Sequence, residues 1–236
     1  MVFFIISYLI TCVFIPHTKE RAFRLRRNWL KWIAIPILNI KVIKTGEPVE
    51  TPALYISNHR SFSDPIVLCR YIDAFVIAKA EVANYPIINR GAELTGVIWV
   101  RRDNQNSRKN SRSRMIQVIL SGYNVLVYPE GTVGLNQHTL DFRPGSFIEC
   151  AANQIPVVPV AIEYRSEKDL WKREKFIPQY FYQFSKWKTE IKLMIGPPMQ
   201  NDNGTQLHAD AHKWVNDQLV LMQQNWTDIY LKKKQI

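Results

Sequence analysis

Ala53-Leu54-Tyr55-Ile56-Ser57-Asn58-His59-Arg60-Ser61-Phe62-Ser63-Asp64-Pro65 is the stretch that decides how this chain folds. Its first five residues form an apolar run of strand length, and a polar turn follows. Pro65 suits the first turn of a helix, which places Asp64 at the expected N-cap. Strand, turn and helix recur outward from this point. Short β-branched runs at 53–57, 75–78, 97–101, 125–128, 157–162 and 191–195 alternate with stretches of helical spacing at 65–72, 84–94, 107–121, 145–153 and 206–224. Such alternation predicts an α/β fold with a mostly parallel sheet and helices on both faces.

The same stretch carries chemistry. His59 and Asp64 stand five residues apart on a strand-to-helix turn, where an α/β fold presents reactive groups. A histidine oriented by a carboxylate is the minimum equipment for taking a proton from an alcohol. Ser61 and Ser63 are the alternative nucleophiles, but neither sits on a Gly-x-Ser-x-Gly elbow, so a covalent serine route is disfavoured.

Composition narrows the partners. The chain has 236 residues, 47% of them hydrophobic, enough for one domain with a substantial core and too apolar for disorder. A net charge of +11 calls for an anionic partner: acidic headgroups, a phosphorylated substrate or nucleic acid. Lys and Arg cluster at 101–114 without interleaved aromatics or a binding motif, which argues against nucleic acid. Cys12, Cys69 and Cys150 are widely spaced in apolar runs and read as reduced thiols. His208 and His212 lie i, i+4 but lack a third ligand, so neither a metal nor another cofactor is expected.

Residues 1–40 differ from the rest. Met1 to Ile15 carry no charge, yet a helix of that length reaches only about 23 Å against roughly 30 Å of hydrocarbon. There is no basic leader and no small-residue cleavage site. A cationic stretch with Lys19, Arg21, Arg24, Arg26, Arg27 and Lys31 follows, then a second apolar run bearing Trp29 and Trp32. The expectation is a two-helix membrane-docking element over 1–40, set against anionic lipids, ahead of an α/β unit over 41–236. A pair of core helices joined by a charged turn is the competing reading.

Three further blocks stand downstream of the His59 turn: Gly96-Val97-Ile98-Trp99-Val100-Arg101-Arg102, Val127-Tyr128-Pro129-Glu130-Gly131-Thr132, and Ile155-Pro156-Val157-Val158-Pro159-Val160. In this order and spacing the four resemble the glycerolipid acyltransferases, above all the 1-acylglycerol-3-phosphate (lysophosphatidate) acyltransferases. The likeness spans roughly residues 53–162. It implies transfer of a fatty acyl group from acyl-CoA or acyl-carrier protein to the free hydroxyl of lysophosphatidate, giving phosphatidate, at a membrane and on its cytoplasmic face. By the family pattern His59 is the general base and Asp64 orients it. Arg102, Glu130, Gly131 and Thr132 match the acceptor-binding positions, and Arg143, in Phe142-Arg143-Pro144-Gly145, stands where the family has a second cation.

One departure matters. Val133 occupies the place where the family has an arginine after Glu-Gly-Thr. A lysophospholipid with a larger headgroup, or an acylated amino-acid lipid, would need no tight grip on a phosphate monoester. A non-catalytic module for anionic lipid is the reading from another class; binding alone needs neither Asn-His-x4-Asp nor Pro-Glu-Gly-Thr.

Overall fold

A computed structural model describes residues 2–84, 94–101, 104–173, 175–227 and 229–230. Seven strands make one sheet in the order β1-β7-β6-β2-β5-β3-β4. They are β1 (Ile40–Thr45), β2 (Leu54–Ser57), β3 (Ala74–Lys79), β4 (Val97–Val100), β5 (Asn124–Val127), β6 (Val157–Tyr164) and β7 (Thr189–Ile195). All neighbours pair parallel except β6 and β7. The expected α/β architecture is present. The stretch 85–93, where a helix was expected, lies outside the described residues.

Central β2 shows why a short apolar run suffices. Its residues are buried on both faces: Leu54 and Ile56 pack into one core, Tyr55 into the other, as the two-residue strand period requires. The Leu54 face is covered by α4 (Gln105–Leu120), α5 (Gly145–Ala152) and α7 (Gly204–Gln223). The Tyr55 face is covered by α3 (Asp64–Leu68) and by the end of the N-terminal helical segment.

Two helices precede the sheet, α1 (Val2–Thr11) and α2 (Lys19–Trp29). The cationic stretch does not separate them; all of it but Lys31 lies inside α2, whose N-cap Thr18 accepts from the Arg21 N–H. The helical path continues through a π-helical turn, Leu30–Ala34, and Ile35–Ile37. Phe23 packs edge-on against Phe75 and Tyr123, and Leu30 and Ala34 enter the second core. Among the described residues no helix is long and apolar enough to cross a membrane.

Register fixes which end of the sheet carries the chemistry. β2 ends at Ser57 opposite Val160, and β6 runs on to Tyr164, which pairs with Ile191 near the start of β7. Ile40 opens β1 opposite Thr189. The starts of β1 and β7 therefore lie at the end of the sheet where β2 delivers His59.

Candidate active site

Asp64 is wholly buried and receives four donors. Its Oδ2 accepts from His59 Nδ1 at 2.6 Å and from the N–H groups of Arg60 and Ser61 at 2.7 and 2.9 Å. Tyr164 Oη donates to Oδ1 at 2.7 Å. Asp64 is not the N-cap that the sequence predicts. Asp64 is the first residue of α3, Ser63 precedes it without a side-chain cap, and the carboxylate turns back to the 59–61 backbone. Each donor belongs to the turn or to β6, so the carboxylate winds the chain around itself and the histidine is drawn in with it.

Because Nδ1 faces a carboxylate, it carries the proton, and the neutral ring leaves a lone pair on Nε2. The His59 side chain is 18% exposed, and Nε2 has no partner among the described residues. The ring stacks on Tyr128, centroids 4.4 Å apart. Its backbone is held too: the His59 N–H donates to Glu130 Oε1 at 2.7 Å, and the Gly134 N–H donates to the His59 carbonyl at 2.7 Å. The second Glu130 oxygen accepts from the Leu140 N–H at 3.1 Å. Burial pushes the Glu130 carboxyl above its ordinary range, opposed by these two N–H donors and the charge of Arg60.

The predicted acceptor residues fall into three groups. Glu130, Gly131 and Arg143 meet at one turn. Gly131 has φ +74°, a left-handed backbone that favours glycine, and the Arg143 guanidinium lies over it, its carbon 2.8 Å from where a Cβ would stand. Arg143 itself is exposed and its N–H donates to the Pro129 carbonyl at 3.0 Å. Thr132 is exposed at the same turn. Arg102 lies outside the described residues.

Other residues around the site have structural roles: the sequence offers Asn58 only as part of its motif, and nothing in it points to Arg60 or Gln223. The Asn58 amide clamps the end of β2 to β6, donating to and accepting from Ile162 at 2.9 Å each. Arg60, almost fully buried, donates to the carbonyls of Gly134, Asn136 and Gln137, pinning the loop after Thr132, and pairs with Glu163 at 3.3 Å. Gln223 of α7 joins this network through Gln137 and Glu163. Ser61 and Ser63 are buried and bonded to Gln183, which removes them as accessible nucleophiles. His208 and His212 bond to Phe142, Thr139 and Leu140, supporting the same loop.

A buried, multiply anchored carboxylate, an imidazole with its outer nitrogen unbonded, and an exposed cation at the adjoining turn can deprotonate a hydroxyl beside an anionic group. Comparison with known proteins agrees with that geometry. The model of the acyltransferase family matches residues 39–163, more than half of the chain. The chain belongs to the acyltransferase family. The match includes His59, Asp64 and the Glu130–Arg143 turn, so the motifs and their assembled geometry lie within one family unit.

This member of the acyltransferase family is similar to the chloroplast 1-acyl-sn-glycerol-3-phosphate acyltransferase of Arabidopsis thaliana, with 27% identity over 165 residues covering 69% of this chain and 46% of that protein. It is 31% identical over 144 residues to the lyso-ornithine lipid O-acyltransferase of Pseudomonas aeruginosa, covering 61% and 55% of the two chains. It thus spans about half the length of these curated relatives. The crystal structure of the 1-acyl-sn-glycerophosphate acyltransferase PlsC from Thermotoga maritima shares the fold: TM-score 0.70, 18% identity, covering 94% of this chain and 89% of that one.

Proposed function

We propose that this chain is a lysolipid O-acyltransferase that moves a fatty acyl group from the thioester of acyl-CoA or acyl-carrier protein to a free hydroxyl of its acceptor. The observation that carries this reading is the 2.6 Å bond from His59 Nδ1 to the buried Asp64 carboxylate, which leaves Nε2 as the acceptor of a proton. As the acceptor oxygen attacks the thioester carbonyl, Nε2 takes the hydroxyl proton and Asp64 stabilises the imidazolium. The carbon–oxygen bond forms, the carbon–sulfur bond breaks, and the proton passes to the leaving thiolate. No acyl-enzyme and no cofactor are needed.

Lysophosphatidate is the acceptor we favour, giving phosphatidate. Arg143 over Gly131 supplies a guanidinium at the turn that also holds His59, and Arg102 and Thr132 complete the acceptor set by the family pattern. Residues 1–40 serve as a membrane-docking element for the catalytic unit 41–236, on the cytoplasmic face of an anionic bilayer. The exposed Val13, Phe14 and Trp32 beside the α2 cations support this.

A second acceptor has its own support. Val133 replaces the family's arginine, and one relative at 31% identity is named a lyso-ornithine lipid O-acyltransferase. A zwitterionic amino-acid headgroup needs fewer cations than a phosphate monoester. The deciding experiment is a panel of lysophosphatidate, lysophosphatidylcholine and lyso-ornithine lipid with one labelled acyl donor. Lysophosphatidate should be consumed fastest, and His59→Ala should slow transfer about 10² to 10⁴-fold at unchanged circular dichroism. Wild-type turnover in His59→Ala would sink the proposal; preference for lyso-ornithine lipid would move the acceptor to the second reading.

A further inference from the structure

The segment between β6 and β7 contains a helix that buries two glutamines and leaves an apolar pair uncovered. In α6 (Phe176–Phe184), the sequence Phe-Ile-Pro-Gln-Tyr-Phe-Tyr-Gln-Phe has no charged residue. Its polar pair, Gln179 and Gln183, is spaced i, i+4 and wholly buried. Gln179 accepts from the N–H groups of Lys172 and Arg173 and donates to the Leu170 carbonyl. Gln183 bonds Ser61 and Ser63, inside the turn between His59 and Asp64. The apolar pair Ile177 and Phe181, also i, i+4, points the other way and is 62% and 68% exposed. Tyr180 and Phe184 turn inward against Phe62. The helix thus buries one part of its apolar surface and leaves Ile177 and Phe181 uncovered, where a helix packed on a core in water keeps its polar residues outside.

The exposed apolar surface extends past the helix. Trp187 follows at 90% exposure, and its carbonyl accepts from Asn39 Nδ2, which brings in Ile37 at the end of the N-terminal helical segment, itself 75% exposed. All of this lies at the end of the sheet that bears His59, because Trp187 stands two residues before β7 and Asn39 directly precedes β1. Charge frames the patch. Between Trp171 and Lys188 the sequence has five Lys or Arg against the single acid Glu174. Lys172, Lys186 and Lys188 pair with Glu167, Asp169 and Glu190, so the charge left to face a lipid rests on the exposed Arg173 and Lys175.

We infer that the outer face of α6, with Trp187 and Ile37, is a bilayer contact of the α/β unit itself, seating anionic lipid beside the His59 turn. Aliphatic and aromatic side chains at headgroup depth with Lys and Arg around them are what an anionic interface favours. A protein partner or a second copy would need an acidic rim to meet the same cations. The inward glutamines then have a purpose: they fasten the docked helix to the reactive turn. The contact is a property of this surface and stands whether or not the acceptor is lysophosphatidate.

The test uses the full chain with Cys12→Ser and Phe181→Cys, labelled with an environment-sensitive fluorophore; Cys69 and Cys150 are buried, and burial pushes their thiols up, that of Cys150 to about 12. Vesicles of phosphatidylcholine with phosphatidylglycerol should shift the emission to the blue, and acyl-brominated lipid should quench it. Phe181→Gln with Ile177→Gln should weaken vesicle partitioning at least about tenfold at unchanged Tm. Unchanged partitioning, or a label that stays in water while the protein sediments with vesicles, overturns the inference. So does a blue shift without vesicles that grows with protein concentration, which would identify the occupant as a second copy.

Discussion

At the scale of single residues, the reactive geometry rests on how many donors one carboxylate can hold. Asp64 accepts from an imidazole, two backbone N–H groups and Tyr164 Oη, using both oxygens. Asp64→Asn should lower kcat about 10³ to 10⁴-fold, because an amide offers its neighbours the wrong partners and favours the wrong imidazole tautomer. Tyr164→Phe should cost about tenfold in kcat with little change in KM, since one hydrogen bond to a charged group is worth roughly 1.5–3 kcal/mol. Steady-state kinetics on both variants checks this; a Tyr164→Phe enzyme with full activity would reduce that hydroxyl to packing. His59 and Asp64 were legible because they are the chemically able residues of one short motif. Tyr164 and Arg60 were not. A tyrosine in an apolar strand reads as core and an arginine in a polar turn reads as solvated. Their partners lie 100 and 103 residues away in sequence.

At the scale of elements, legibility follows burial on both faces. Runs such as 53–57 and 157–162 announce themselves because a strand inside a parallel sheet must be apolar throughout. Edge strand β1 was missed: Ile40–Thr45 alternates between buried and solvated positions and sits against a helical neighbour that dominates its window. Helix α6 is not legible because buried glutamines alternate with the inward Tyr180 and Phe184 while Ile177 and Phe181 face out, so the apolar residues form no single stripe. The turn leading to α6 also holds Asp169, wholly buried, bonded to Lys186 at 2.9 Å and Thr189 at 3.2 Å. Burial outweighs these partners and raises its carboxyl to about 6. A raised carboxyl binds its proton more tightly in the folded state, so its contribution is present at low pH and is lost as pH rises from about 4 through 6. Asp169→Asn removes that titration. Relative to wild type, the variant should therefore gain up to about 3 kcal/mol between pH 4 and pH 7. Denaturant melts at pH 4, 5, 6 and 7 measure the difference; one that stays constant with pH would rule this out.

At the scale of the whole molecule, the question is how a chain of net charge +11 meets lipid. Composition points to an anionic partner but says nothing of orientation. Orientation depends on the path of the N-terminal segment: Arg26 and Arg27 reach Ala74 and Asp73 at the start of β3, whereas Asn39 reaches Trp187 at the end of the sheet bearing His59. The segment also gives Phe23, Leu30 and Ala34 to the cores, so removing all of residues 1–40 would damage the fold as well as the docking. Surface substitution separates the two effects. Val13, Phe14 and Ile15 are exposed at the junction between α1 and α2. Changing all three to Ser should leave Tm within a degree or two and weaken binding to anionic vesicles. Salt then divides the forces: at 1 M the screening length falls to about 3 Å and the cations of α2 contribute little, while apolar insertion persists. Wild type should keep part of its binding at high salt, and the triple variant should lose most of what remains. Vesicle sedimentation from 0.05 to 1 M salt reads both. If wild type is released entirely by salt, residues 13–15 do not insert and the attachment is electrostatic alone.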